Sequence, residues 1–268
     1  MHFFKSILIC ALLAGVSAGI VLTGLQTLKV YPLIFAAEVY EPAEHSHSEP
    51  DSTQASLSED SNAEHDHSEH SHGDHEGTEV DVSNSHDTDH HAASESGTWL
   101  PDDGGERLFF SLQSNLLVGV GLGLILSALF SVCDVTDWRQ GVMWGVAGFV
   151  TVNLAPSLGL PPELPGMPAA DLLTRQFWWW ATVIATGCGL AMIFKNPEVI
   201  WRAAGVILIA APHIYGAPHP DSIESDVPAV LAADFATATF ALNLIFWVIL
   251  GALAATVMAH RNKQDGIT

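Results

Sequence analysis

Apolar residues gather into six runs, 7–28, 115–132, 141–155, 177–194, 199–211 and 235–259, and the charged residues lie almost wholly between them. The first run has 22 residues, and at a rise of about 1.5 Å per residue it covers about 33 Å, enough for a hydrocarbon core of about 30 Å. Lys5 ahead of it gives it the look of a signal peptide, but Gln26 and Lys29 spoil the approach to a cleavage site after Ala37, so a membrane helix is expected instead. The third and fifth runs are short for a full span, and hydropathy alone allows five or six crossings. Six crossings with both termini cytoplasmic put Lys5, Arg139, Lys195, Arg202, Arg261 and Lys263 inside and leave Lys29, Arg107 and Arg175 outside. Five would put basic connections on the wrong side. The expectation is therefore an all-α, polytopic helical bundle in the inner (plasma) membrane, six helices preferred over five. Residues 1–40 form the first helix and its exit, 41–98 an external loop, and 99–268 the rest of the bundle.

Small residues recur where such helices would touch. Gly15 and Gly19, Gly119 and Gly123, and Gly141 and Gly145 are each four apart, which puts two gaps on one helix face and lets backbones approach. Asn153 and Asn243 are costly to leave unpaired in lipid, so they should face the bundle interior. Trp178, Trp179 and Trp180 follow Arg175 as an interfacial aromatic belt would. Pro156, Pro161, Pro162, Pro165 and Pro168 predict a shaped external loop, because proline fixes φ and lacks an N–H. A second constrained connection is expected after Ala211, with Pro212, His213, Gly216, Pro218, His219 and Pro220.

Charge changes the picture at one place. The chain carries a net charge of -21, and residues 41–98 account for -16 of it, with sixteen Asp or Glu, ten His and no Lys or Arg. The histidines are His45, His47, His65, His67, His70, His72, His75, His86, His90 and His91, mostly spaced as His-x-His or His-x-x-His. Neutral imidazole is the commonest protein ligand for borderline divalent metals, and neighbouring carboxylates concentrate and help ligate cations. So polar a segment cannot offset its ordering entropy, so a disordered tract binding several ions weakly and in a pH-dependent way is expected. A purely solvating acidic loop is the plainer alternative. His213 and His219, bracketed by prolines, and Glu38, just past the first helix, are candidates for a more ordered metal site at the same external mouth. The plainer readings there are a hydrogen bond or helix cap for the histidines and a solvated carboxylate for Glu38.

The rest excludes more than it adds. Cys10, Cys133 and Cys188 are far apart and form no Cys-x-x-Cys pair, so neither a disulfide framework nor a thiolate site is indicated. With Lys and Arg numbering 9, no basic patch exists for a nucleic-acid partner. No phosphate loop, dinucleotide fingerprint or His-Glu-x-x-His is present, so no enzyme and no organic cofactor are expected. No Asp, Glu or His sits within these runs to relay protons. A divalent transition metal is the expected ligand or cargo. Nitrogen and oxygen ligands favour nickel and copper over cobalt, with zinc competitive, so composition does not choose the metal.

The order of these features resembles the CbtA-type proposed cobalt transporter subunit family. The likeness is carried by Glu38-Val39-Tyr40-Glu41 after Pro32, by Trp99-Leu100-Pro101-Asp102-Asp103-Gly104-Gly105-Glu106-Arg107, by Trp144-Gly145-Val146-Ala147-Gly148-Phe149 leading to the block from Leu154 to Gly166, and by Pro212-His213-Ile214-Tyr215-Gly216-Ala217-Pro218. The resemblance implies about five membrane segments, cobalt as cargo, and action with a single-helix, histidine-bearing CbtB-type partner in cobalt supply for cobalamin. Two features depart from the pattern: Asp102-Asp103-Gly104-Gly105 stands where a form closer to Glu-Asp-Gly is expected, and the histidine insertion is longer. The functional expectation is a subunit of a divalent metal uptake transporter whose external loop collects the ion. The alternative is a membrane-anchored module that binds, buffers or senses the metal without moving it.

Overall fold

The computed structural model describes residues 2–40, 104–135 and 137–264, with side chains from residue 4 onward. The ten tract histidines, His45 to His91, and Glu41 lie outside the described residues. Met1–Ala43 and Pro101–Thr268 make one compact unit. Its helices are α1 (His2–Lys29), α2 (Tyr31–Glu38), α3 (Gly105–Val132), α4 (Trp138–Phe149), a π-helical turn (Val150–Leu154) leading into α5 (Ala155–Ser157), α6 (Leu172–Lys195), α7 (Val199–Tyr215) and α8 (Ala229–Gln264). Among the described residues there is no strand. Four helices, α1, α3, α6 and α8, are long and apolar enough to cross a membrane. The other two expected crossings are shorter: the composite 138–157 and the 17-residue α7.

Three antiparallel seams build the bundle, and each is set by residues without side chains. In α1–α3, a Cβ on Gly15 would lie 2.5 Å from the Gly119 carbonyl oxygen, one on Gly19 2.9 Å from that of Asn115, and one on Gly123 3.0 Å from that of Ala11. In α4–α8, Gly141 and Gly145 meet Gly251 and the Trp247 backbone. In α6–α7, Gly189 and Gly205 face each other, a Cβ on the first lying 2.7 Å from the carbonyl oxygen of the second. Helix α8 also lies against α1, and Ala14, Ala18, Leu126, Phe130, Phe246 and Leu250 fill the core between α1, α3 and α8. The expected glycine pairs do pack as backbone contacts.

Polar side chains tie the seams where lipid would not. Asn115 Nδ2 donates to Gln26 Oε1 at 2.6 Å and Thr23 Oγ1 at 3.0 Å, joining α3 to α1. Trp247 Nε1 donates to Asn153 Oδ1 at 2.7 Å, joining α8 to the π-helical turn, so Asn153 faces a neighbouring helix as expected. Asn243 Nδ2 donates instead to Thr239 O of its own helix. A mid-helix amide can satisfy itself one turn back, which composition does not reveal.

The helices also run past the apolar runs, and this moves three expected loop residues, Pro156, Pro212 and His213, into helix. Pro156 is helical, because the Ala155 N–H reaches Val150 O and the turn widens ahead of a residue that has no N–H to give. Likewise α7 continues through Pro212 and His213 to Tyr215, ending only at Gly216, whose φ of 96° favours glycine and whose N–H bonds Pro212 O. His213 is thus a last-turn helix residue rather than part of a turn. Helix α2 was not expected as a separate element. It follows α1 after Val30, with Pro32 in its first turn, where a missing N–H costs nothing.

Candidate functional site

The end of the bundle that bears the insertion is where the ionisable side chains meet. Helix α2, the proline-rich loop 158–171 and the segment before α8 share a small apolar core of Ala37, Leu164 and Val227, backed by Ile34, Met167 and Phe235. Ser225 Oγ donates to Gly166 O at 3.4 Å and the Leu164 N–H points to Met167 Sδ at 3.4 Å, so the loop is folded onto itself and onto the α8 approach. Proline makes such a loop stiff and the apolar contacts give it a seat.

Next in the chain to Ala37 and Leu164 of this core stand Glu38 and Glu163, each paired with an arginine. Arg107 Nη2 lies 2.6 Å from Glu38 Oε1, and Arg175 Nη2 lies 2.9 Å from Glu163 Oε2. Arg107 is in the first turn of α3, which opens after Gly104 at φ 101°. Its guanidinium also lies over the Phe35 ring, 5.0 Å from the centroid. Arg175 follows the start of α6, where Asp171 caps the helix by accepting from the Thr174 N–H at 3.0 Å. All four side chains are a quarter or so exposed, so each pair contributes about 0.2–1 kcal/mol and is screened by salt. Glu38 is therefore held by a guanidinium and not merely solvated. Because Glu38 closes α2 and Arg107 is in the first turn of α3, their pair also draws together the two described segments that flank the stretch 41–103 in the chain.

His213 sits in a different setting. Its ring meets Trp178 edge-on at 5.7 Å between centroids, and Trp178 Nε1 donates to Pro212 O at 3.2 Å. Trp178 is 6% exposed and also seats Gly159 of the loop entrance, so it is a packing residue between α6 and α7 rather than a belt residue. Trp180, at 58% exposure, fits the belt expectation. His219 lies exposed in the connection to α8. Glu38 and His213 thus have separate neighbours, and among the described residues no group of three or more His, Cys, Asp or Glu is placed to hold a metal ion. An open groove of about 370 Å³ lies beside Glu163 and Arg175, lined also by Gln176, Trp179 and Trp180.

Sequence reasoning passed over Arg107, Arg175, Glu163 and Asn115. The signal was present for the arginines: each stands in the first turn of a helix, within reach of a glutamate next to a proline-bearing segment. Only the fold pairs them.

A family model described as a probable cobalt transporter subunit, CbtA, matches residues 4–259. No curated protein and no solved structure matches the chain.

Proposed function

The chain belongs to the CbtA family, described as a probable cobalt transporter subunit, and from that premise we propose that it is the membrane-spanning subunit of a divalent-cation uptake system, with its histidine tract facing the exterior as the collector. The observation that carries this reading is the Glu38–Arg107 pair at 2.6 Å. It brings together, at one end of the bundle, the two described segments that flank the histidine- and carboxylate-rich stretch in the chain. In this reading His45, His47, His65, His67, His70, His72, His75, His86, His90 and His91 gather cations, and Glu38, His213 and His219 serve as the next ligands. Fast-exchanging, weak ligands suit delivery better than a closed tetrahedral site would. Cobalt is the proposed cargo and a single-helix CbtB-type subunit the proposed partner, with both termini cytoplasmic in the inner membrane.

A second reading has its own support. The spanning segments carry ionisable groups only near their ends, so the bundle could serve as an anchor for a metal-binding tract that buffers or senses. Uptake of radiolabelled cobalt, nickel and zinc, in cells lacking other importers and with any adjacent single-helix partner present, separates the two. Under the transport reading, deleting residues 44–95 lowers uptake at low metal and spares it at high metal. Equal loss at both concentrations favours the binding module, and no uptake above background for any ion refutes transport.

A further inference from the structure

An ion pair and two indole rings line the groove of about 370 Å³ at the start of α6. Arg175 Nη2 lies 2.9 Å from Glu163 Oε2, and 29% and 22% of the two side chains are exposed. A guanidinium has five N–H donors and a carboxylate two oxygens, so this one contact leaves both groups with capacity for a ligand. Trp179 and Trp180 meet edge to face, their centroids 5.0 Å apart and their planes at 83°. They give the groove two aromatic walls, and Pro161 and Pro162 stiffen a third.

The depth of the groove follows from the helix that carries it. The apolar run 177–194 of α6 has 18 residues, about 27 Å at a rise of about 1.5 Å per residue, close to a hydrocarbon core of about 30 Å. Arg175, two residues before that run, therefore stands at the level of the lipid headgroups, where tryptophan is also favoured. Leu173, Phe177, Trp180 and Ile184 recur at steps of four, three and four residues and so share one face of α6. Each is more than half exposed. Trp180 belongs both to this face and to the groove, so the polar recess opens directly onto an apolar stripe that runs toward the middle of the membrane.

The charges select the ligand. An anion alone sets its charge against Glu163, and a cation alone sets its charge against Arg175. A ligand with both signs satisfies both, and at headgroup depth a zwitterionic phospholipid supplies them. A primary ammonium has three N–H donors to offer Glu163, as a lysine does; a quaternary one has none. We propose that this groove binds the headgroup of a phospholipid bearing a phosphate and a primary ammonium, a phosphatidylethanolamine. The phosphate is held by Arg175, the ammonium by Glu163 and the two indoles, and an acyl chain lies along Phe177 and Ile184. The Arg175–Glu163 pair is partly exposed and weak, so the ligand opens it at little cost. Glu163 belongs to the proline-rich loop and Arg175 to α6, so the bound lipid braces the loop against the helix. The site needs a membrane but no metal, and so stands apart from the uptake reading.

The test uses full-length protein and three probes with identical acyl chains: phosphatidylethanolamine, phosphatidylglycerol and phosphatidylcholine. In native mass spectra of protein offered an equal mixture, phosphatidylethanolamine should be retained several-fold over either of the others. Glu163→Gln should abolish the preference over phosphatidylglycerol, which has no ammonium, and Arg175→Gln should lower retention of all three several-fold. Arg202→Gln, at an exposed arginine of α7, should behave as wild type. Equal retention of the three lipids by wild type overturns the site and leaves an ordinary lipid-facing surface or a seat for a partner helix. Unchanged preference in folded Glu163→Gln overturns it as well. Excess soluble phosphoethanolamine should leave the lipid in place, because it brings no acyl chain; displacement would reassign the groove to a soluble zwitterion and overturn the lipid. Should the variants fail to fold, hydrogen exchange of wild type decides. Residues 158–176 should exchange several-fold more slowly in phosphatidylcholine nanodiscs containing phosphatidylethanolamine than in those containing phosphatidylglycerol, and equal exchange in both refutes the site.

Discussion

Replacing Gly15 with alanine tests whether the α1–α3 seam is held by backbone contact. The added Cβ would lie 2.5 Å from the Gly119 oxygen and 2.6 Å from the Gly119 carbonyl carbon, both main-chain atoms that no rotamer change can move aside. Restoring an ordinary contact requires the helices to part by about 1 Å, and overpacking of this kind costs about 1–3 kcal/mol. Parting also stretches the Asn115 bonds to Gln26 and Thr23, worth about 0.6 kcal/mol each in a membrane. Against this, alanine improves helix propensity over glycine by up to about 1 kcal/mol. Gly24 on the same helix removes that ambiguity, since nothing lies within 4 Å of a Cβ built there. Gly15→Ala and Gly24→Ala gain the same propensity, so the difference between them isolates the seam: about 2–4 kcal/mol, with Gly15→Ala the less stable. Reversible unfolding in mixed micelles or steric trapping measures it. Equal stability of the two variants would refute the backbone-contact account of all three glycine seams.

Trp247→Phe removes the donor to Asn153 and should destabilise by about 0.6–1.7 kcal/mol. Adding Asn153→Leu should recover part of that loss in the same unfolding assay, because no buried acceptor is then left unmet. Cobalt retention by the purified protein should fall as pH drops through about 6.5, since protonated imidazole cannot ligate. Isothermal titration across pH 5.5–7.5 should show this step in the full chain and lose most of it when residues 44–95 are deleted. A reporter active only in the periplasm should work when fused near Ser83 and near Glu163 and fail after Lys263. Activity after Lys263 would require an odd number of crossings.

What the sequence could disclose follows from which forces are local. The spanning helices are legible because lipid demands long apolar runs, and the glycine pairs are legible because a four-residue spacing puts both on one face. The need of Asn153 for an interhelical partner is equally a matter of cost. Helix ends were misjudged, since beyond the apolar run the backbone continues until a residue such as Gly216 ends it, and α7 therefore took in His213. The π-helical turn before Pro156 reflects hydrogen bonding among neighbours, which hydropathy does not register. Trp178 read as a belt residue because its type suits the interface equally well, and only the approach of α7 makes it core. At the candidate site, Glu38 and His213 were singled out by chemistry, but their neighbours Arg107 and Trp178 come from distant parts of the chain and no spacing rule finds them.

The Glu38–Arg107 pair bears on how such a chain can change over time. Glu38 and Arg107 stand on either side of the stretch 41–103 in the chain and meet in space, so the bundle itself brings the two flanking segments together. Loop-closure entropy grows with the logarithm of length, so doubling an unstructured insertion costs only about 0.6 kcal/mol. A segment inserted between two such points can accordingly change in length without renegotiating a single helix contact. For the engineer, the same junction is a port at which a different chelating sequence, or a fluorescent metal reporter, can be spliced into a membrane protein that need not be redesigned to receive it.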